Sequence, residues 1–502
     1  MKKINSFLLL CLFPVFFVLH GMNENFGLLS VETLLYFFLR YLLVTILVVV
    51  VSRILFKQEE KSFLFSSLLL GVYFFFGAFI DLFRTIGLSR YLIILPLLTA
   101  LVLLVFVFLK KANRGFSRLY KYLSVLLLVV VGVEILFLAL NFINNKSSQQ
   151  DFGDKDNTVY KTVVAGNKPS QTPDIYWLVI DEYSSSRVLR NYFNFDNPLD
   201  SILKKKGFFV ADSAQANYNY THFSLTSQLD MEYLKGFTNH SIVTPRDAIR
   251  GNFSLYKNNV SEILKEYNYQ VENYTIYHLK GYPTKAIIPA FFEEGSLLNN
   301  QTLSGKLARD ISWQLPLLFK EDNQKGIQER NQQLVEELDS GYRRYHNTLF
   351  QAIRDNNQNT APVFLMAHLF DAHEPFIYNA DGTLYTKEGL NSNPRERYIP
   401  QLQYSNKILA KLIDSIQINS RKDFIIVLQG DHGFKFEESD PLFENESCST
   451  LFAVYYKNGN YSSWPNQLSL VNSFRILFND KFGSRLPLLP DSSFNLYYRA
   501  KK

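Results

Sequence analysis

The chain has 502 residues, 52 Lys and Arg against 46 Asp and Glu, and a net charge of +6. The length has room for more than one folded unit, and the modest charge, with no basic block, sets nucleic acid aside as a partner. The cysteines, Cys11 in an apolar run and Cys448 alone, build neither a disulfide framework nor a thiolate zinc site, so any metal is held by Asp, Glu, His or hydroxyl oxygens.

Residues 1–145 are dominated by Leu, Val, Phe and Ile, with apolar stretches at roughly 4–20, 32–55, 62–83, 90–109 and 120–143. Most are near the ~20 residues that cross a bilayer, so about five transmembrane helices are expected. The first stretch is short and follows Lys2 and Lys3, as in a signal peptide, but no small-x-small cleavage site follows and more spans come at once; a retained helix is expected. Basic residues set the orientation. Arg53, Lys57 and Lys61 lie between spans two and three, and Lys110, Lys111, Arg114, Arg118 and Lys121 between spans four and five. The loop 21–31 has no Lys or Arg, and the third loop has only Arg84 and Arg90. The N-terminus is therefore expected in the cytoplasm and the second half outside it, in a multi-pass protein of the inner (plasma) membrane. Arg40, inside the second span, is either a lipid-phosphate contact, or a charge that snorkels or pairs with Asp81.

Residues 146–172 are polar and lack periodicity, and read as a linker with at most one ordered turn. From 173 to 490 strand and helix patterns alternate. DIYWLVIDE (174–182) is a short apolar run ending in acids. A helix, Gly207 as its stop and a strand follow in 198–214; a helix over 260–267 and a strand over 269–277 repeat that order. Amphipathic helices are expected over 328–356 and 399–417, and buried strands over 362–370 and 424–430. Residues 491–502 are set apart as a C-terminal tail. The order predicts an α/β domain with a doubly wound, mostly parallel sheet.

Three buried strands end in polar clusters: Asp181-Glu182, Asp371 with His373, and Asp431-His432. In a parallel sheet those ends share one edge, where open α/β folds place their chemistry. The segment 217–229, NYNYTHFSLTSQL, supplies hydroxyls. Strand-Asp/Glu, then Thr221-His-Phe-Ser224 opening a helix, then His373-Glu-Pro, then Asp431-His432-Gly433 resembles the sulfatase-like branch of the alkaline phosphatase superfamily. The N-terminal spans extend the resemblance to lipoteichoic acid synthases and lipid A phosphoethanolamine transferases. The resemblance implies Thr221 as nucleophile and metal ligand, Asp431 and His432 as metal ligands, and His373 as the substrate-side acid. Asp181 and Glu182 both qualify as the remaining ligand, and His278 is a second substrate-side candidate in a context that departs from the family. Other departures are plain: the Cys-x-Pro-x-Arg signature of true sulfatases is absent, no His follows His432, and the transferases' cysteine pairs are missing.

The implied cofactor is one divalent cation, zinc or manganese before magnesium or calcium. The implied activity is a metal-dependent phosphotransfer, carrying phosphoglycerol or phosphoethanolamine from a phospholipid donor to an envelope glycan or lipid acceptor through phospho-Thr221. The same site would serve a hydrolase of sulfate or phosphate esters, and without turnover a non-catalytic envelope-assembly or glycan-binding protein. Among the remaining polar residues, His368 reads as a satisfied core histidine, His240 and His346 as surface, and Asp371 as a loop hydrogen-bonding group. Ser224, Thr226 and Ser227 read as capping or helix-surface hydroxyls. His222 touches the substrate or is exposed, and Tyr218 and Tyr220 line a pocket or simply pack.

Overall fold

The computed structural model describes residues 6–26, 29, 31–85, 91–143, 158–165, 172–286, 294–310, 323–386, 389, 393–438, 440–457 and 459–498. Lys2, Lys3, Arg90, most of the linker 146–172 and the last four residues lie outside them. The chain divides into two compact units, Met1–Gln150 with Phe291–Gly326, and Asp151–Ala290 with Ile327–Lys502.

The first unit holds helices α1 (Ser6–Leu10), α2 (Leu12–Glu24), α3 (Val31–Leu55), α4 (Glu59–Phe74), α5 (Phe76–Thr85), α6 (Tyr91–Lys111) and α7 (Ser117–Ile143). Four helical stretches, α1 and α2 counted together, are long and apolar enough to cross a membrane, and the bent pair α4–α5 makes up to five. Their exposed faces carry Leu39, Leu47, Leu104 and Ile135, the pattern of helices whose solvent is hydrocarbon. Arg40 is exposed, its guanidinium 5.8 Å from the Phe37 ring centroid.

The third stretch is not straight. It breaks at Phe75 with a bend of 66°. A break inside a membrane frees backbone groups that only protein can satisfy there. The Gly77 N–H donates to the Gln301 carbonyl at 2.9 Å, and the Tyr73 hydroxyl meets Ser304 Oγ at 2.9 Å. Gln301 lies between two short helices, Glu294–Asn299 and Leu303–Asp310, and Ser304 is in the second. Leu298, in the first of them, is buried in the same apolar cluster as Phe17, Phe37 and Phe74. A segment the sequence pattern assigns to the α/β domain thus folds with the membrane helices.

The second unit is built on strands β1 (Asp174–Ile180), β2 (Phe209–Val210), β3 (Ser213–Gln215), β4 (Ile242–Val243), β5 (Gln270–Tyr274), β6 (Val363–Leu369), β7 (Phe424–Gly430), β8 (Ser449–Thr450), β9 (Phe452–Tyr456), β10 (Gln467–Ser469) and β11 (Tyr497–Tyr498). The main sheet runs β2-β9-β7-β1-β6-β5. The strands β7, β1, β6 and β5 pair in parallel, and β9 pairs antiparallel with β7. Strand side chains alternate between faces, and both faces are covered. Ile175, Trp177 and Val179 pack with Ile263, Leu264, Phe474 and Phe478. Tyr176, Leu178 and Ile180 pack on the other side with Leu349, Ile353, Leu409 and Ile413. The helices behind those last contacts, Asn323–Asn356 and Pro394–Asn419, both begin earlier than the apolar period suggests. In the second, Asn393 caps and Pro394 opens the first turn, which needs no apolar residue.

Both ends of this unit are more ordered than their composition suggests. Thr158–Val164 is a helix with Val159 and Val163 buried in the core. The segment beginning at 491 does not trail off: Leu496 is buried and Tyr497–Tyr498 pairs in parallel with β4. Its polar spacing hides a strand because only a few of its residues face inward.

Candidate active site

The parallel pairing brings three strand ends level. Ile180 stands beside Leu369 of β6 and Gly430 of β7, and the Asp181 N–H donates to the Leu369 carbonyl at 2.9 Å. Asp181 and Glu182 therefore leave β1 beside Asp431 and His432 leaving β7. Glu182 takes a positive φ of 63°. That conformation strains a side-chain-bearing residue by about 1–3 kcal/mol and turns its carboxylate back over the strand ends. Glycine at 433 is forced by close approach: a Cβ there would meet the Ser449 carbonyl at 2.5 Å and the Glu446 carbonyl at 2.7 Å.

The carboxylates are only half satisfied. Asp431 Oδ1 accepts the N–H groups of Glu182 at 3.0 Å and His432 at 2.9 Å, and Glu182 Oε1 accepts that of Lys435 at 2.6 Å. Asp181 Oδ1, Glu182 Oε2 and Asp431 Oδ2 are buried and accept no hydrogen bond among the described residues. Among the described residues neither ring nitrogen of His368 makes a well-aligned hydrogen bond, although Nε2 lies 3.3 Å from Asp181 Oδ2. Burying such groups unpaired costs several kcal/mol each unless a cation or proton compensates. Ligand atoms of Asp181, His368 and Asp431 lie within 4.8 Å of one another, so this buried set fits a metal ion. His432 is poised to join it. Its Nδ1–H donates to the Gly433 carbonyl at 2.7 Å, which leaves Nε2 facing Asp431 Oδ2 at 3.3 Å and Asp181 Oδ1 at 3.7 Å.

Thr221 is the first residue of the helix Thr221–Asp230, and Tyr220, not Thr221, is its N-cap. Freed from capping, the Thr221 hydroxyl lies 3.4 Å from His432 Nε2. The later hydroxyls are neither caps nor surface groups. Ser224 Oγ donates to the Asp431 carbonyl at 2.6 Å, Thr226 Oγ1 to the His222 carbonyl at 2.6 Å, and Ser227 Oγ to the Glu232 carbonyl at 2.7 Å, all buried. Ser224, and Thr226 through a second bond to the Gly251 carbonyl at 3.0 Å, tie the helix to its neighbours, and the Thr221 hydroxyl faces the cluster.

Electrostatics follow from this crowding. Burial disfavours the Asp181 anion, but His373, His368 and His432 outweigh it and hold the carboxyl well below the usual range. Burial pushes the Glu182 carboxyl up to about 7 against the pull of His373 and His432. Burial opposes the His373 imidazolium, yet Asp181 and Glu182 raise it to about 9. His373 Nδ1–H donates to the Glu374 carbonyl at 2.5 Å, and Nε2 lies 3.9 Å from Glu182 Oε2 on a side chain 32% exposed. A proton donor at neutral pH thus stands at the rim of the cluster. The sign of the resulting pH dependence is fixed. A cation must displace the proton Glu182 holds below about 7. Zinc or manganese affinity of metal-free protein is expected to rise with pH through that point and beyond it, because His432, whose imidazolium Asp431 and Asp181 favour against burial, must also give up a proton to bind. Calorimetric titration at pH 5.5, 6.5 and 8 checks this; an affinity constant across the series contradicts it.

The site is not wholly the set read from sequence. Asp181, Glu182, Thr221, Asp431 and His432 come together, and His373 stands beside them. His368, read as a satisfied core histidine, is buried but unsatisfied, with Nε2 3.3 Å from Asp181 Oδ2. His346, read as surface, is buried and binds Asp371 Oδ2 at 2.9 Å. Asp371 is therefore paired behind the β6 loop as well as holding Gln401 through its carbonyl. His222 is buried against Phe223, and burial followed by His432 lowers it to about 3. His278 is exposed and accepts the Thr284 N–H at 3.2 Å. His240 is exposed, 3.2 Å from Glu444. Lys435 was not singled out by any motif; its ammonium lies 6.0 Å from the ring centroid of Tyr220, the residue before Thr221.

No curated protein matches this chain. Among solved structures, the C-terminal periplasmic domain of EcEptC from Escherichia coli is similar at 14% identity, covering 67% of this chain and 92% of that one, with a TM-score of 0.38. The integral membrane lipooligosaccharide phosphoethanolamine transferase A of Neisseria meningitidis is similar at 12% identity over 91% of this chain and 94% of that one, with a TM-score of 0.34. A protein of the alkaline phosphatase superfamily from Vibrio parahaemolyticus is similar at 10% identity over 67% and 77%, with a TM-score of 0.37. The family model described as Sulfatase matches residues 206–483. That match spans more than half of the chain, which therefore belongs to the sulfatase family and is an enzyme of the alkaline phosphatase superfamily.

Proposed function

We propose that the chain is a membrane-anchored phosphotransferase that moves a phosphoglycerol or phosphoethanolamine head group from a phospholipid to an envelope glycan or lipid. The carrying observation is the Thr221 hydroxyl at 3.4 Å from His432 Nε2, beside three half-satisfied buried carboxylates. Asp181, Glu182, His368, Asp431 and His432 would hold a divalent cation, zinc or manganese by the mixed O/N donor set. Bound there, the cation lowers the pKa of the Thr221 hydroxyl and draws charge from phosphoryl oxygens.

The chain's own groups supply the rest. Thr221 Oγ, its proton released to water beforehand and its negative charge favoured at a helix N-terminus, attacks phosphorus in line with the leaving oxygen. The bond from phosphorus to the leaving alcohol breaks as His373 gives that alcohol its proton, leaving phospho-Thr221 and a neutral imidazole. In the second step His373 takes the proton of the acceptor hydroxyl, whose oxygen attacks phosphorus, and the bond to Thr221 Oγ breaks. Water as acceptor turns the same cycle into hydrolysis. Lys435 supplies positive charge on the Thr221 side, where the phosphoryl oxygens gather.

Intact-mass analysis of full-length protein from cells, wild type beside Thr221→Ala, tests this reading. A phosphoglycerol or phosphoethanolamine adduct confined to wild type is expected. An adduct that persists in the variant removes Thr221 as nucleophile, and a bare phosphate adduct moves the assignment toward a hydrolase.

A further inference from the structure

Within the membrane unit, α7 carries an acid, Glu134, that is 7% exposed. His20 Nδ1–H on α2 donates to Glu134 Oε1 at 2.9 Å. Asn23 Nδ2 donates to Glu134 Oε2 at 2.7 Å and to the Glu134 carbonyl at 2.8 Å, and Asn141 Nδ2 donates to Asn23 Oδ1 at 3.2 Å. A carboxylate in a span is costly, about 2.5–3.5 kcal/mol at the centre, and marks function by default. An interhelical lock would need only the neutral amides already present. The pair is also lopsided: the Glu134 side chain is 9% exposed and that of His20 is 50% exposed. The buried acid holds the imidazole by Nδ1, and Nε2 is the remaining polar atom of a half-exposed ring.

Two further features shape the surroundings of that ring. His20 stacks on Phe16, centroids 5.6 Å apart and planes 7° apart, and Phe16 meets Phe75 at 5.7 Å. Phe75 is the residue at which the bent span breaks. Broken helices beside polar side chains are where membrane proteins hold polar ligands within the bilayer. His20 lies one turn, about 6 Å, from the end of α2. That end is the one toward which α7 also runs before the chain enters the α/β unit.

We propose that Phe16, His20 and Phe75, with Glu134 behind them, form a binding site for a phospholipid. The head group meets His20 Nε2, and an acyl chain lies along the two phenylalanines. Binding needs only these residues; its service as the donor site rests on the phosphotransferase reading.

Full-length protein, delipidated in detergent, is titrated with phosphatidylethanolamine or phosphatidylglycerol and examined by native mass spectrometry. Wild type is expected to retain one lipid, and His20→Phe, which keeps the outward surface filled, to lose about tenfold in affinity. Glu134→Gln, isosteric with the acid, should lose a similar amount if the fixed imidazole matters. Retention equal to wild type in both variants overturns the site. Preference for one lipid tells whether the amine or the shared phosphate is read. If wild type retains lipid yet transfers nothing from it, the phosphotransferase reading fails while the binding site stands.

Discussion

Thr221→Ala should abolish turnover of bis(p-nitrophenyl) phosphate by about a thousandfold or more while leaving fold and cation binding nearly intact. Three decades correspond to about 4 kcal/mol of transition-state stabilisation, within the range for removing a covalent nucleophile. The fold should survive because Thr221 neither caps its helix nor anchors it; Ser224 and Thr226 do the anchoring. The cation should survive because the unsatisfied oxygens belong to Asp181, Glu182 and Asp431. Thr221→Ser keeps an oxygen at the same place and should recover a measurable part of the rate. Steady-state kinetics beside metal analysis of each variant separates the outcomes. A Thr221→Ala enzyme with a tenth of wild-type kcat would place the nucleophile elsewhere.

The second large effect concerns His368. If it is a ligand, His368→Ala should lower zinc or manganese affinity by about 10–100-fold, since even groups that only orient ligands are worth that much. The stability of metal-free protein should fall as well, because the ring, 3.3 Å from Asp181 Oδ2, helps hold that buried carboxylate ionised and its removal leaves a cavity. A histidine that merely fills the core predicts the same lower melting temperature without metal but an unchanged affinity. Metal titration decides between them, and denaturation of the same metal-stripped samples checks the fall in stability.

His368 also shows why part of the site was legible in the sequence and part was not. Asp181, Glu182, Asp431 and His432 end runs of apolar residues, so the strand period itself pushes them to the sheet edge. The segment 217–229 offers several hydroxyls, and Thr221 is singled out among them only by the resemblance to the sulfatase-like family. His368 sits inside a strand, one residue before Leu369, and strand periodicity gives every interior residue the same apolar forecast. Only the parallel register, which sets Val179 beside His368 and so Asp181 near its ring, brings it to the cluster. His346 was missed for a related reason. It lies on the helix Asn323–Asn356, whose polar composition suggests solvent, yet its partner Asp371 comes from a loop 25 residues away. The Glu134 cluster is hidden because one acid barely dents the hydropathy of a 27-residue span.

The bent span has a consequence for how the protein is made. The Gly77 N–H is satisfied by Gln301, and the seat of Leu298 lies among membrane helices. When the ribosome has finished α7, neither partner exists; more than 150 residues must still be synthesised before Gln301 appears. The membrane half therefore completes its packing late, after most of the strand β1 to β5 region has emerged. A fragment ending near residue 145 would carry an open break, and a fragment beginning after it would carry Leu298 without its seat. Division of the chain at the linker should consequently yield two damaged pieces, whereas deletion of 291–326 from the second piece should improve its solubility.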